Sequence, residues 1–236
     1  VTNDAPRIGT LREKPLHASL KQWYTRPGDG VEVAVDGFVI DLVRDDLLIE
    51  VQTRNFSSMK VKVTTLLDLG HAVRIVHPIP VDKWIVKVAG DGMVLSRRRS
   101  PRHGSPVDVF AELVSFPNLL ARPNLDIEVL LTEEEEYRRH TPGRSRRRRG
   151  WTVEERRLVD VMGMVSIRNS DDLAALLPAG LPELFTTADL AQQLGRPRRA
   201  AQQMAYCLRI AGAIDAVGKS GNAVEYRSCE RGASSS

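Results

Sequence analysis

The alternation of apolar and polar positions changes rhythm several times along the chain. Leu11, Leu16, Leu20 and Trp23 recur at roughly helical spacing, which predicts a helix over 10–24. Three runs of strand character follow, at 31–35, 38–43 and 47–52. Asp36-Gly37 between the first two is a strong two-residue hairpin turn, and Asp45-Asp46 predicts the second. Ser57 or Ser58 can cap a helix that runs to Leu69 and closes at Gly70. Residues 72–77 and 84–88 read as further strands, 107–120 as a helix and 125–131 as a strand. From 151 onward the pattern is helical and then ends in a hairpin. Thr186 and Asp189 are spaced as a capping box, Gly195 closes that helix, and Pro197 suits the first turn of the next. That helix runs to about Ala211, and two short strands then flank a loop at 218–222.

Composition narrows the class. The chain has 236 residues, and 42% apolar content supports real cores rather than global disorder. No apolar run approaches the ~18 residues of a membrane span, and the opening VTNDAPRIGT does not read as a signal peptide. Two Cys without a pairing pattern point to a reducing compartment, hence a cytoplasmic protein, and to no zinc module. The net charge of +4 is unevenly distributed. Residues 1–95 carry 12 basic and 12 acidic groups, 151–236 carry 10 and 10, and 96–150 carry 12 and 8. Four Glu at 133–136 and an Arg-rich run ending in Arg146, Arg147, Arg148 and Arg149 read as an exposed tether, and the Arg run equally suits sequence-independent contacts with nucleic-acid phosphates. The predicted organisation is therefore a domain over 1–132, a charged linker over 133–150, a second domain over 151–230 and a disordered tail over 231–236.

Candidate chemistry concentrates in the first three strands. Two-residue turns at both hairpins place Glu32 opposite Asp41 and Asp41 opposite Glu50, with Gln52 on the same face. Opposed like charges on neighbouring strands are destabilising, and a hard divalent cation such as Mg²⁺ relieves the repulsion through carboxylate oxygens. The competing reading makes these acids the solvated side of a one-sided sheet. Among the five His, His17 stands one turn from Glu13, where it lines a cleft or lies on the surface. Nucleophile motifs built on Ser or Cys and phosphate-binding Gly loops are absent.

The order of elements carries a resemblance. A helix, a meander bearing Ile40-Asp41 and Ile49-Glu50-Val51-Gln52, a second helix and a strand resemble the PD-(D/E)XK restriction-endonuclease-like superfamily over residues 8–90. The resemblance implies an α+β fold with a mixed sheet flanked by helices. It implies Asp41, Glu50 and the Val51 carbonyl as ligands of Mg²⁺ or Mn²⁺, joined by Glu13, while the hairpin register adds Glu32 to the metal row. Gln52 stands where Lys is usual; it can orient the attacking water but cannot carry the positive charge, so Lys60 or Lys62 of the following helix could supply a displaced amine. The implied activity is metal-assisted phosphodiester hydrolysis.

The segment after 185 resembles a winged helix-turn-helix. Arg198, Arg199, Gln202 and Gln203 would lead its recognition helix and Lys219 its wing, reaching phosphates and base edges. Cys207 fits the buried side of that helix. The expected function is cleavage of nucleic acid, with DNA as the partner and a homodimer as an arrangement that would allow paired cuts. The alternative is a non-catalytic DNA-binding or regulatory protein with a decayed nuclease core.

Overall fold

A computed structural model describes residues 14–141 and 150–229 of the chain. It opens with helix α1 (Pro15–Tyr24), followed by the meander β1 (Gly30–Val35), β2 (Phe38–Arg44) and β3 (Leu47–Val51). Both predicted turns form: Val35 pairs with Phe38, and Arg44 with Leu47. Asp36 and Asp45 adopt left-handed backbone at φ 47° and 51°, as tight hairpin turns demand. Helix α2 (Lys60–Asp68) then crosses to β4 (Ala72–Val88), which lies parallel to β3. Strand β5 (Val94–Arg99), the short helix α3 (Phe110–Leu113), β6 (Leu125–His140) and β7 (Trp151–Ile167) follow. Among the described residues the sheet has seven strands in the order β1-β2-β3-β4-β6-β7, with β5 on the far half of β4. The architecture is α+β, a large mixed sheet with helices on both faces.

Each face buries its own core. On one, Ile40, Leu48, Ile75 and Ile127 pack against Phe56 and against Val63 and Leu66 of α2. On the other, Leu42, Ile49, Val51 and Val76 pack against Leu16, Leu20 and Tyr24 of α1. Helix α1 has no side-chain cap at its N-terminus and is ten residues long. A helix that short is marginal alone, so burial of those side chains, at about 1.5–3 kcal/mol each, holds it. Tyr24 adds a polar anchor by donating its hydroxyl to buried Glu128, which also pairs with Arg74 at 3.2 Å.

The sheet departs from the sequence reading in its second half. Residues 133–140, expected as linker, form the outer half of β6, and 151–167, expected as helix, form β7. The two pair antiparallel from Ile127↔Ile167 out to His140↔Trp151. The four Glu are not a solvated block. Trp84 Nε1 donates to Glu133 at 2.6 Å, and Arg156 pairs with Glu134 at 2.6 Å. Arg97 pairs with Glu135 at 2.7 Å, while Lys83 and Arg138 flank Glu136. Each of the four thus has a side-chain partner: the Trp84 indole for Glu133 and a cation for each of Glu134, Glu135 and Glu136. Arg144–149 and the expected tail lie outside the described residues.

Strand β4 is also longer than expected, because it passes through Pro78 and Pro80 without stopping. Both prolines pair with β6, at Leu130 and Thr132. The carbonyls of Val76 and Pro80 face away from β6, toward Gln52 N–H and Gly104 N–H respectively. The missing proline N–H groups therefore point to the stretch of β4 where β3 has ended and β5 has not begun. A proline costs no ladder bond at an open edge. Gly104 closes on that edge so tightly that a Cβ there would lie 2.6 Å from both Ile79 Cγ2 and the Pro80 carbonyl oxygen. Gly104→Val is expected to cost about 1–3 kcal/mol through overpacking, read as a lower urea midpoint at unchanged slope. A midpoint equal to that of the parent chain would show that the segment has room.

The predicted helix over 107–120 breaks into a 3-10 turn (Pro106–Val109), α3 and a second turn (Pro117–Ala121). Pro117 has no N–H to continue a helix. The C-terminal part comprises α4 (Ser170–Ala174), α5 (Thr187–Leu194), α6 (Arg198–Ile210) and the hairpin β8 (Ile214–Ser220) and β9 (Ala223–Ser228). The Thr186–Asp189 capping box forms, and Gly195 terminates α5 at φ 59°. The expected loop at 218–222 is tighter than its sequence suggests, since Ser220 pairs with Ala223. This part is not tethered apart from the sheet. Met204, Cys207 and Leu208 of α6 share one core with Phe110 and Leu113, and Arg196 bonds Ser105 Oγ and Asp108, each at 3.0 Å. Burial pushes the Cys207 thiol up to about 12, as befits a core residue rather than a reactive one. Among the described residues no helix is long and apolar enough to cross a membrane.

Candidate functional site

The ladder between β2 and β3 stops at Leu42↔Ile49. The next residues of the two strands are Asp41 and Glu50, which fill the space where the strands part. Val51 N–H donates to Asp41 Oδ2 at 2.9 Å, and Asp41 N–H approaches Glu50 Oε1 at 3.4 Å. The two carboxylates thus occupy positions that backbone pairing would otherwise take. In extended backbone a residue's carbonyl leaves on the same side as its N–H, so the Val51 carbonyl also leaves on the β2 side of β3. One cationic or titratable group arrives from each helix layer. His17 of α1 lies 3.3 Å from Asp41 Oδ2, and Lys62 of α2 donates to both Glu50 and the Val39 carbonyl.

Electrostatics drives the two acids apart. Burial is the main influence raising the pKa of Glu50, the charge of Asp41 raises it further, and Lys62 only partly compensates. Asp41 is also pushed up by burial, but the hydrogen bond from His17, the Val51 N–H and the charge of Lys21 outweigh this and hold it below the usual value. Glu50 therefore favours the folded state most at pH below its unfolded pKa, and that contribution is lost as pH rises through its raised folded value. Asp41 behaves oppositely, stabilising above its unfolded pKa and losing that effect as pH falls through its depressed value. Burial and the Asp41 charge thus make Glu50 hold its proton more firmly than Asp41 does.

A divalent ion would offset the repulsion between the two carboxylates, which the influence of the Asp41 charge on Glu50 expresses. The donor set of Asp41, Glu50 and the Val51 carbonyl is all oxygen, which suits a hard cation, and Mg²⁺ commonly uses one or two carboxylates and keeps water. Among the described residues no group of three or more His, Cys, Asp or Glu side chains is arranged to hold a metal. Any ion here would rest on two carboxylates, not on the longer row that the turns imply.

The row itself breaks at both ends. Glu32 takes left-handed backbone at φ 54° and pairs with Lys21 of α1 at 2.8 Å, so it does not join Asp41 and Glu50 as expected. Gln52 turns its amide to the Asn55 carbonyl and Ser58 Oγ, at 3.1 and 3.2 Å, where it pins the turn leading into α2. It is not aimed at Asp41, so the water-orienting role expected of it has no geometric basis. Of the two candidate amines, Lys62 reaches the site and Lys60 is exposed. Glu13 lies outside the described residues. Lys21 was missed by sequence reasoning, although its spacing of four from His17 put both on one helix face. In the C-terminal part Arg198, Arg199, Gln202 and Lys219 are exposed, while Gln203 is half-buried. Tyr206 and Arg209 line the cleft between α6 and the hairpin together with Arg198 and Gln202. The 198, 202, 206, 209 spacing was a helical stripe visible in the sequence.

Fold and site together define an α+β protein with an Asp–Glu–Lys cluster, Glu50 buried and Asp41 and Lys62 half-buried, at a parting of strands. The chain belongs to the family described as "Domain of unknown function (DUF8091)", which it matches over residues 14–168. That span runs from just before α1 to just after β7 and so contains the whole sheet, including the segment expected as linker. A protein of Treponema pallidum (strain Nichols), described as "Uncharacterized protein", is 32% identical over 187 residues, covering 78% of this chain and 74% of the relative. No solved structure matches the chain.

Proposed function

We propose that the protein is a divalent-metal-dependent nuclease of the PD-(D/E)XK type, acting on DNA, with α5, α6 and the β8–β9 hairpin serving as a winged-helix DNA contact. The observation that carries this reading is the convergence of Asp41, Glu50 and Lys62 at one point, from β2, β3 and α2. It supports Lys62 as the amine that replaces the one Gln52 cannot supply. Helix, meander, helix and parallel strand follow in the order on which the resemblance rests.

Asp41, Glu50 and the Val51 carbonyl would hold the ion. When bound, the ion supplies Lewis acidity, lowering the pKa of the attacking water and offsetting charge that builds on phosphate oxygens. Val51 N–H fixes the Asp41 carboxylate, leaving its second oxygen for the ion. Lys62 orients Glu50 and adds a positive charge beside the scissile phosphate. Gln52 keeps the Lys62-bearing segment in register through Asn55 and Ser58. Incubation with single- and double-stranded DNA and RNA under Mg²⁺ or Mn²⁺ tests the reading. Metal-dependent cleavage of DNA is the expected result, and intact substrates in every case would refute it. Engagement of Gln52 within the turn favours a second reading, a non-catalytic DNA-binding protein, which the same assay separates.

The exposed stripe of α6 supports contact with DNA, since Arg side chains suit phosphates and base edges. Arg198→Glu together with Arg199→Glu is expected to weaken DNA binding and to lower the dependence of log K on log salt by about two phosphate contacts. An unchanged slope in a filter-binding titration would instead favour a protein-docking role for this part.

A further inference from the structure

The open stretch of β4 lies beside a cavity of about 430 Å³, roomy enough for a nucleotide-sized ligand. It is bounded by the segment after β3, the Pro78–Pro80 stretch, the loop closed by Gly104 and the start of α3, with Arg196 reaching in from the C-terminal part. Its lining holds five Lys or Arg side chains against two acids, Asp108 and Glu112. Three of the cations are already matched: Arg196 by Asp108, Arg156 by Glu134 and Lys83 by Glu136. The other two, Arg54 and Arg102, are exposed and have no ion-pair partner among the described residues. Glu112 directs one oxygen to Phe56 N–H at 2.9 Å. The lining therefore keeps an excess of positive charge in the form of two unengaged guanidinium forks.

We propose that this cavity binds the phosphate group of a nucleotide or of a nucleic-acid strand end, with Arg54 and Arg102 as the primary ligands. Planar guanidinium groups grip phosphate oxygens in pairs, and with Arg196, Arg156 and Lys83 neutralised by their partners the free positive charge falls to Arg54 and Arg102. Pro78 and Pro80 suit such a place, because they keep the open edge of β4 from recruiting another strand. The inference is independent of whether Asp41 and Glu50 support cleavage.

Inorganic phosphate titrated into the full chain, with EDTA present and ionic strength held constant with chloride, is expected to raise the melting temperature. Arg54→Glu combined with Arg102→Glu is expected to abolish that rise while leaving the melting temperature in chloride unchanged, since both side chains are exposed. Adenosine 5′-monophosphate and a 5′-phosphorylated oligonucleotide, each used as competitor against its dephosphorylated form, then identify the source. Displacement by the first alone assigns a free nucleotide, and displacement by the second assigns a strand end. A rise no greater than that in chloride, or one that survives in the double variant, would overturn the proposal.

Discussion

Asp41→Asn or Glu50→Gln is expected to lower Mg²⁺-dependent cleavage of DNA by about 100- to 1000-fold, the scale of removing one arm of a Lewis-acid site. Both replacements keep side-chain volume and can still accept the hydrogen bonds from Val51 N–H and Lys62. The fold should survive, and an unchanged far-ultraviolet circular dichroism spectrum is the control. The pKa pattern adds a readout that needs no turnover. Burial and the charge of Asp41 raise Glu50, so deprotonating it costs stability as pH rises through its raised value. On the proposed reading a divalent ion would bind the deprotonated pair, so the rise in melting temperature on adding Mg²⁺ or Mn²⁺ should grow across that same pH window. In Asp41→Asn the rise should disappear. Full cleavage by both variants, or a metal effect indifferent to pH and to Asp41, would remove the carboxylate pair from any catalytic role.

Arg156→Met is expected to cost about 3–5 kcal/mol in urea unfolding, because it leaves a buried carboxylate without its cation. The Glu134 side chain is 0% exposed, and Arg156 and the Thr132 hydroxyl are its hydrogen-bond partners. Burial raises the pKa of Glu134 against the opposing pull of Arg156. Without Arg156 that opposition is gone, and lowering the pH should recover part of the loss by protonating the buried acid. Adding Glu134→Gln should recover most of it at neutral pH. A cost below about 1 kcal/mol, the range of exposed pairs, would mean that this charge array contributes little to the long strands.

The array also explains why the outer half of the sheet was illegible. In sequence, Glu133–136 look like a like-charge block, and charge blocks ordinarily repel and stay solvated. Their partners are Trp84, Arg156, Arg97 and Lys83 or Arg138, which except for Arg138 lie more than 20 positions away along the chain. Only sheet register brings them alongside. Strand β7 was misread for a related reason. An edge strand with mixed polarity on both sides lacks the clean alternation that marks a one-sided sheet. Its pairing with β6 is what fixes it as a strand.

Local determinants came through intact. The registers of the first two hairpins follow from two-residue turns whose central residues tolerate left-handed backbone, an interaction among neighbours that needs no other part of the protein. The cap of α5 is likewise set by Thr186 and Asp189, three residues apart. The sequence by itself therefore determined that Asp41 and Glu50 stand side by side at the end of a hairpin. Tertiary structure decided what surrounds them. The parting of β2 from β3 broke the flat row, α1 took Glu32 away through Lys21, and α2 delivered Lys62 rather than Lys60. Those choices depend on how two separate cores seat the helices on opposite faces of one sheet, and packing between distant segments is not written in the spacing of neighbours.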